Sequence, residues 1–391
     1  MTVSDNRTRI VLAAGGTGGH MFPAYAVAEA LIERGYRPVL VTDERGARYS
    51  AAAIEIERHL LPAANVSRGR ISGVVNLIRA SFAAARLFGK IRPSLVMGFG
   101  GYAALPALVA ARLRNIPRCI HEQNAVLGRV NRAIGGSVQG IALSFEETRR
   151  LKPALKERAM VTGNPVRDEV TALYAVPYEA PVADGPLRLL VLGGSQGAKI
   201  LSDVVPQALA SLPDRLRRRI SVTQQCRPET LDEVRRIYED TGIKHDLAAF
   251  FSDMPDRLAD AHLVIARSGA STISELEIAA RPSILVPLKI ATDDHQTANA
   301  DGLVRAGGAW VLAEREFTSA SLSEKLAELL DKPDELAAAA DVARTLARPD
   351  AASRLADMVE GLLGGKAAHE LTLPKRNGHS ENSAALMAEA H

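Results

Sequence analysis

Apolar residues along this chain fall in short blocks, and most blocks are ended by glycines or small hydroxyl residues. Arg9–Ala14 is the first and reads as a buried strand. Gly15-Gly16-Thr17-Gly18-Gly19-His20 follows, and then a stretch from Pro23 to Arg34 with Ala24, Ala28, Leu31 and Ile32 on one helical face. Val39–Thr42, Leu95–Met97 and Arg118–His121 are further strand-like blocks, the second of them ended by Gly98, Gly100 and Gly101. Alternation of strand, glycine turn and helix predicts parallel βαβ units.

The pattern then restarts. Leu187–Leu192 predicts a strand, Gly193–Gly197 a turn and Lys199–Leu212 a helix. Ile220–Thr223, Leu263–Ala266 and Ser283–Pro287 read as strands, Leu231–Tyr238 and Ile273–Ala280 as helices, and 318–364 as helical by composition. Two similar halves of this kind predict an α/β protein of two doubly wound, Rossmann-like domains facing each other across a cleft. The prolines between Gly163 and Pro186 put the joint there: a first domain over 1–163 and a second over 164–345. A C-terminal helix over 346–364 is a candidate to pack back on the first domain, and a polar tail over 365–391 is expected to be disordered.

Composition narrows the class. The 391 residues are 47% hydrophobic and 24% charged, which excludes wholesale disorder. Cys119 and Cys226 stand far apart without a Cys/His cluster, so neither a disulfide framework nor a zinc site is expected. Met1–Arg9 is polar and the apolar blocks are too short for a secretory leader or a spanning helix, so a chain that neither carries a leader nor crosses a membrane is expected. The net charge of +3 hides a split. Residues 1–163 carry 23 Lys/Arg against 11 Asp/Glu, and 164–391 carry 25 against 34. No acid lies between Glu57 and Glu122, a window with ten Lys/Arg. Such a half suits an anionic partner, although a merely solvated basic surface reads the same way.

Glycines directly after a strand let backbone N–H groups approach an anion, and the next helix adds its dipole. The turn at 15–20 lacks the third glycine of the dinucleotide fingerprint and the Gly-Lys-Ser/Thr of a P-loop. Asp43, ending the second strand, keeps a nicotinamide site as a minor alternative. His20 closes the turn as either a base or a helix cap. Gly98-Phe99-Gly100-Gly101-Tyr102 is a second such turn, and two in one domain suit a diphosphate. His121-Glu122-Gln123-Asn124 forms a polar cluster at a strand end, where side chains would face the crevice. In the second half, Gly193–Gly197 and Ser268–Thr272 suit phosphates. Glu275 suits a ribose or, within Thr272-Ile273-Ser274-Glu275, a capping box. Asp293-Asp294-His295-Gln296 offers groups to a sugar or, instead, to a metal, although nothing nearby in sequence completes a metal site. The absence of any Asp-x-Asp favours holding a nucleotide diphosphate with helix ends and arginine, without a metal or other cofactor.

Taken together, Gly15–His20, Gly98–Tyr102, His121–Asn124, Gly163-Asn164-Pro165-Val166-Arg167, Gly193–Ala198, Arg267–Glu275 and Asp294–Ala300 resemble, in order, the motifs of the MurG family of peptidoglycan glycosyltransferases. The resemblance implies a GT-B fold and inverting transfer of GlcNAc from UDP-GlcNAc to the C4 hydroxyl of the muramoyl unit in undecaprenyl-diphospho-MurNAc-pentapeptide. It implies a donor site of Arg167, Ser195, Phe251, Ala270, Ser271, Thr272, Glu275 and Gln296, completed by Thr17, Gly18, Gly19 and Asn124. Gly16, Gly100, Gly101 and Tyr102 would receive the acceptor diphosphate. His20 leads as general base with Glu122 as runner-up. It further implies a peripheral position on the cytoplasmic face of the inner membrane, with cell-wall or division proteins as candidate partners. The segment Ile71–Ile91 combines Leu77 and Phe82 with Arg79, Arg86 and Lys90, as an interfacial helix requires; a core helix with basic outer residues is the bland alternative. Gln224-Gln225-Cys226-Arg227 departs from the family pattern, and the tail matches none of it. Competing readings are another GT-B enzyme on a UDP-sugar (a glycolipid glycosyltransferase or a UDP-GlcNAc 2-epimerase), a nucleic-acid-binding protein, and a silent UDP-sugar-binding protein. The sparse aromatics speak against nucleic acid.

Overall fold

The computed structural model describes residues 7–49, 54–62, 70–182, 184–194, 197–288, 291–366 and 368–371. The first half forms strands β1 (Arg9–Ala13), β2 (Arg37–Thr42), β3 (Glu57–Leu60), β4 (Leu95–Gly98), β5 (Arg118–Glu122), β6 (Gly140–Leu143) and β7 (Ala159–Val161). The second forms β8 (Leu187–Leu192), β9 (Ile220–Gln225), β10 (Lys244–Ala248), β11 (Leu263–Ala266), β12 (Ser283–Leu285) and β13 (Ala309–Val311). Helices α1 (Gly18–Glu33), α2 (Arg70–Ile91), α3 (Gly101–Leu113), α4 (Arg129–Ile134) and α5 (Asp168–Thr171) accompany or follow the first sheet. Around the second lie α6 (Lys199–Ala210), α7 (Asp214–Arg217), α8 (Leu231–Asp240), α9 (Met254–Asp260), α10 (Ala270–Ala279), α11 (His295–Ala306), α12 (Ser319–Leu330), α13 (Pro333–Leu346) and α14 (Ala351–Leu363).

Both sheets are parallel and have the same winding. The first runs β3-β2-β1-β4-β5-β6-β7 and the second β10-β9-β8-β11-β12-β13. Burial on both faces explains the continuous apolar strands. In β1, Ile10 and Leu12 enter one core while Val11 and Ala13 enter the other, as alternation along a strand requires. In β8, Leu187, Leu189 and Val191 face one side, Leu190 and Leu192 the other. Helix α14 leaves the second half and inserts Leu355, Met358 and Val359 into the core of the first sheet. Arg34 fastens it there, bonding Asp357 at 2.7 Å and Glu360 at 2.8 Å.

Several elements differ from the sequence reading. Helix α1 begins at Gly18, so the glycine turn runs straight into the helix, with Pro23 inside it. Strands β3 and β10 were not apparent from Glu57-Arg58-His59-Leu60 and Lys244-His245-Asp246-Leu247-Ala248. They are sheet edges, and their half-exposed side chains need not be apolar. The capping-box reading of Thr272–Glu275 does not hold: α10 is capped by Gly269, which leaves Thr272 inside its first turn. Of the tail expected to be disordered over 365–391, Ala368–Glu370 forms a short 3-10 turn with Ala368 buried, and Leu371 packs against the first core, while 372–391 lies outside the described residues.

Candidate functional site

In an open doubly wound sheet the crevice opens at the carboxyl ends of the strands where the winding reverses. That point lies between β1 and β4 in the first sheet and between β8 and β11 in the second. The segments leaving these strands are Gly15–Thr17, Phe99–Gly100, a third of which Gly193, Gly194, Gly197 and Ala198 are among the described residues, and Arg267–Gly269. The two sets face each other: a β-carbon on Gly19 would stand 3.8 Å from Ser271 Oγ of the opposite domain.

Asp43 shapes the first turn. Its Oδ1 accepts from Gly16 N at 3.2 Å and Gly46 N at 2.8 Å. A side chain on Gly15 would meet this carboxylate at 2.8 Å, and Gly16 has φ of 88°. Asp43 is thus a brace for the backbone, and the nicotinamide reading loses its ribose acid. Thr17 precedes α1 and its Oγ1 lies 3.3 Å from His20 Nδ1. Gly18 is buried against Phe22.

The His20 ring lies against Gly100 and Gly101, where β-carbons would approach it at 3.6 and 3.5 Å. Both glycines have positive φ, 80° and 69°, so the second turn takes a conformation that side chains disfavour, and it is this backbone shape, not lack of space beside the imidazole, that calls for glycine. Burial lowers the His20 pKa, opposed by a hydrogen bond to the Gly15 carbonyl and by Asp43. A neutral imidazole that donates through one nitrogen keeps the other as an acceptor. Tyr102, in the first turn of α3, is 40% exposed and free to meet a ligand.

Of the polar cluster at the end of β5, His121, Glu122 and Gln123 face inward rather than into the crevice, and only Asn124 is left partly exposed. His121 is fully buried, with Nε2 3.1 Å from the Gly163 carbonyl, and burial pushes its pKa down to about 4. Gln123 donates to His121 Nδ1 at 3.1 Å. Glu122 Oε1 accepts from Asn124 N at 3.0 Å, and its Oε2 from Gly128 N at 2.7 Å and Asn131 Nδ2 at 2.8 Å. Burial raises its pKa, and these hydrogen bonds oppose the rise. Both carboxylate oxygens are therefore spent on shaping the loop between β5 and α4.

That loop meets the second domain through Asn299, a residue the sequence reading did not single out although it lies within the Asp294–Ala300 motif. Asn299 is fully buried. Its Oδ1 accepts from Ala125 N at 2.8 Å, while its Nδ2 donates to Asn124 Oδ1 at 3.2 Å and to the Ser268 carbonyl at 3.1 Å. Ala125, Val126 and Ala298 pack beside it.

On the second domain, Ala270, Ser271 and Thr272 are the first three residues of α10, whose N–H groups lack intrahelical acceptors. Glu275 is one turn further on; burial raises its pKa and Arg167 opposes the rise. Arg167 caps α5 and also lies 5.6 Å over the Phe22 ring of the first domain. Gln296 Oε1 accepts from Leu288 N at 2.9 Å. Phe251 is buried with the Arg257 guanidinium 4.0 Å over its ring. Ser195 lies outside the described residues. At the unusual Gln224–Arg227 segment, Gln225 accepts from Gly193 N at 3.2 Å and Arg227 donates to the Gly197 carbonyl at 3.1 Å, so both ends of the third turn are tied to it.

Away from the cleft, α2 buries Ala80, Ala84 and Phe88 against α3 and the sheet. Its outer face exposes Val74, Val75, Ile78 and Phe82, the last 75% exposed, with Arg79, Arg86 and Lys90 also outward and Leu77 half-buried. Among the described residues no helix is long and apolar enough to cross a membrane, and no group of His, Cys, Asp and Glu is arranged to hold a metal ion.

Residues 10–142 match the glycosyltransferase family 28 N-terminal domain and 188–355 its C-terminal domain. A UDP-N-acetylglucosamine–N-acetylmuramyl-(pentapeptide) pyrophosphoryl-undecaprenol N-acetylglucosamine transferase of Paramagnetospirillum magneticum is 50% identical over 365 residues, 92% of this chain and 98% of the relative. The crystal structure of Acinetobacter baumannii MurG superposes with a TM-score of 0.75 at 30% identity, over 90% of this chain and 99% of that one. A UDP-GlcNAc 2-epimerase from Neisseria meningitidis superposes at 0.60 with 14% identity, over 91% and 100%, which shows the shared fold alone.

Proposed function

Since this chain belongs to glycosyltransferase family 28, and its fold is GT-B, we propose that it transfers N-acetylglucosamine from UDP-GlcNAc to the muramoyl C4 hydroxyl of undecaprenyl-diphospho-MurNAc-pentapeptide, with inversion. The observation that carries the reading is the convergence of glycine and hydroxyl turns from both sheets' switch points on one cleft. A reaction that joins two diphosphate-bearing substrates needs two such anion seats, one per domain.

In this reading the second domain holds the donor. The α10 N-terminus, with Ala270, Ser271 and Thr272, and Arg167 stabilise charge on the departing UDP, as oriented dipoles do when they need no reorganisation. Glu275 takes the ribose, the Phe251 backbone the uracil and Gln296 the sugar hydroxyls; Ser195 joins them at the donor. Thr17, Gly18, Gly19 and Asn124 close over the donor from the first domain. Gly16, Gly100, Gly101 and Tyr102 receive the acceptor diphosphate.

His20 is the general base. It accepts the C4 hydroxyl proton as the oxygen bonds to the anomeric carbon, and the bond to the UDP phosphate breaks with its electron pair leaving on UDP. Glu122, whose oxygens are engaged by backbone and Asn131, is a positioning residue for Asn124. The exposed apolar face of α2, flanked by Arg79, Arg86 and Lys90, rests on the anionic surface in which the lipid acceptor is embedded, giving a peripheral protein of the inner membrane.

The test is incubation with labelled UDP-GlcNAc and a lipid I analogue. Label moving into lipid supports the reading. Release of free GlcNAc, or conversion of UDP-GlcNAc to its epimer with none in lipid, overturns it.

A further inference from the structure

Asp293 belongs to the donor-side loop, yet its carboxylate is surrounded by the other domain. Its Oδ1 lies 2.7 Å from Arg150 Nη1, its Oδ2 2.9 Å from Arg132 Nη2 and 3.9 Å from Arg129 Nε. The Asp293 side chain is only 16% exposed in this contact. These arginines hold its carboxyl below the usual carboxylate range, the Arg132 hydrogen bond contributing most.

The backbone on both sides is unusual. Asp293 and Asp294 are consecutive non-glycine residues in the left-handed region, with φ of 59° and 53°, and Arg150 is there too, at 62°. Left-handed backbone is disfavoured for a non-glycine residue, and persists where surrounding contacts over-determine it. Here three such residues meet at one ion-pair cluster between domains. Asp294 is the N-cap of α11, and its Oδ1 accepts from Thr297 Oγ1 at 2.7 Å. Gln296 lies in the first turn of α11 and Asn299 at the start of the second.

We propose that Arg132 and Arg150 are positioning residues that act through Asp293, so that closure of the first domain sets the start of α11 and with it the Gln296 side chain that reads the donor sugar. The donor-sugar site is then finished by the acceptor-side domain. In the open state the loop loses the contacts that hold its left-handed turn, and donor affinity falls with it. This rests on the assignment of Gln296 to the donor sugar.

The test is a double-mutant cycle on the full chain, with UDP-GlcNAc and a water-soluble lipid I analogue so that membrane binding plays no part. The Arg132→Gln/Arg150→Gln variant and Asp293→Asn should each raise KM for UDP-GlcNAc about tenfold, and the triple variant should be no worse than either, because coupled groups are non-additive. Raising NaCl should raise the wild-type KM more steeply than that of Asp293→Asn, whose remaining salt dependence comes from the donor diphosphate alone. Arg150→Ala alone, at a half-exposed position, gives a smaller rise in the same direction and guards against misfolding of the double variant. Wild-type KM in the arginine variants overturns the proposal, as does an Asp293→Asn effect that adds fully to theirs. Gln296→Ala is measured in parallel: an unchanged KM there removes the sugar assignment instead.

Discussion

Asn299 of the second domain, itself fully buried, donates to the partly exposed Asn124 of the first across 3.2 Å. The same amide also accepts from Ala125 N and donates to the Ser268 carbonyl, so it joins the loop after β5 to the turn that opens α10. One side chain thus registers the two halves of the cleft against each other.

Asn299→Ala should therefore reduce kcat/KM by about tenfold or more, since it leaves buried Ala125 N and the Ser268 carbonyl without partners at about 1–3 kcal/mol each. Asn299→Asp keeps the acceptor for Ala125 N but cannot donate, and should recover only part of the loss. Steady-state kinetics with thermal melting on both variants checks this; wild-type activity in both would separate the amide from catalysis.

His20→Ala should lower kcat by about 100-fold or more at saturating substrates, the usual cost of losing a general base. Burial lowers the His20 pKa from its ordinary value of 6.5, so the neutral, proton-accepting form persists below that pH. The acid limb of the kcat/KM profile should thus fall below pH 6.5. A limb above it would point to another base.

His121 titrates near 4 when folded and near 6.5 when unfolded, because burial disfavours its charged form. The unfolded chain binds more protons between these values, so its contribution is present above pH 6.5 and is lost as pH falls towards 4. The slope is about 1 kcal/mol per pH unit. Urea midpoints from pH 7 to pH 5 measure it, and His121→Gln should flatten the dependence.

Asp43→Ala removes the acceptor shared by Gly16 N and Gly46 N. Loss of about 1–3 kcal/mol in stability is expected, from two backbone donors left without that oxygen. Activity should fall further than Asp43→Asn, which retains an acceptor.

Reversing Arg79, Arg86 and Lys90 to Glu should weaken binding to anionic vesicles, by about 1 kcal/mol for each charge near the surface. Phe82→Ser should weaken it in neutral vesicles as well. Transfer to a soluble acceptor analogue should be unchanged in both, which co-sedimentation and kinetics together can read.

The sequence by itself determined the architecture and the position of the cleft. Buried central strands such as β8 and β11 need continuous apolar runs, and phosphate-type turns need glycine, so both leave a compositional mark; those two strands run Leu187–Leu192 and Leu263–Ala266 in sequence and structure alike. Edge strands such as β3 carry no such mark, because one side of their side chains is wet. The tertiary structure alone decided which polar residues face the crevice. His121 and Glu122 stand where a strand-end reading would aim them outward, yet their atoms are consumed by Gly163, Gly128 and Asn131. Asp43 likewise turned out to be a brace. The pairing of Asn299 with Asn124, and of Asp293 with Arg132 and Arg150, joins residues more than 140 positions apart. Local sequence fixes backbone habit and apolar spacing; which hydrogen-bonding groups meet across the cleft depends on how the two domains dock, and that is set by contacts no single segment contains.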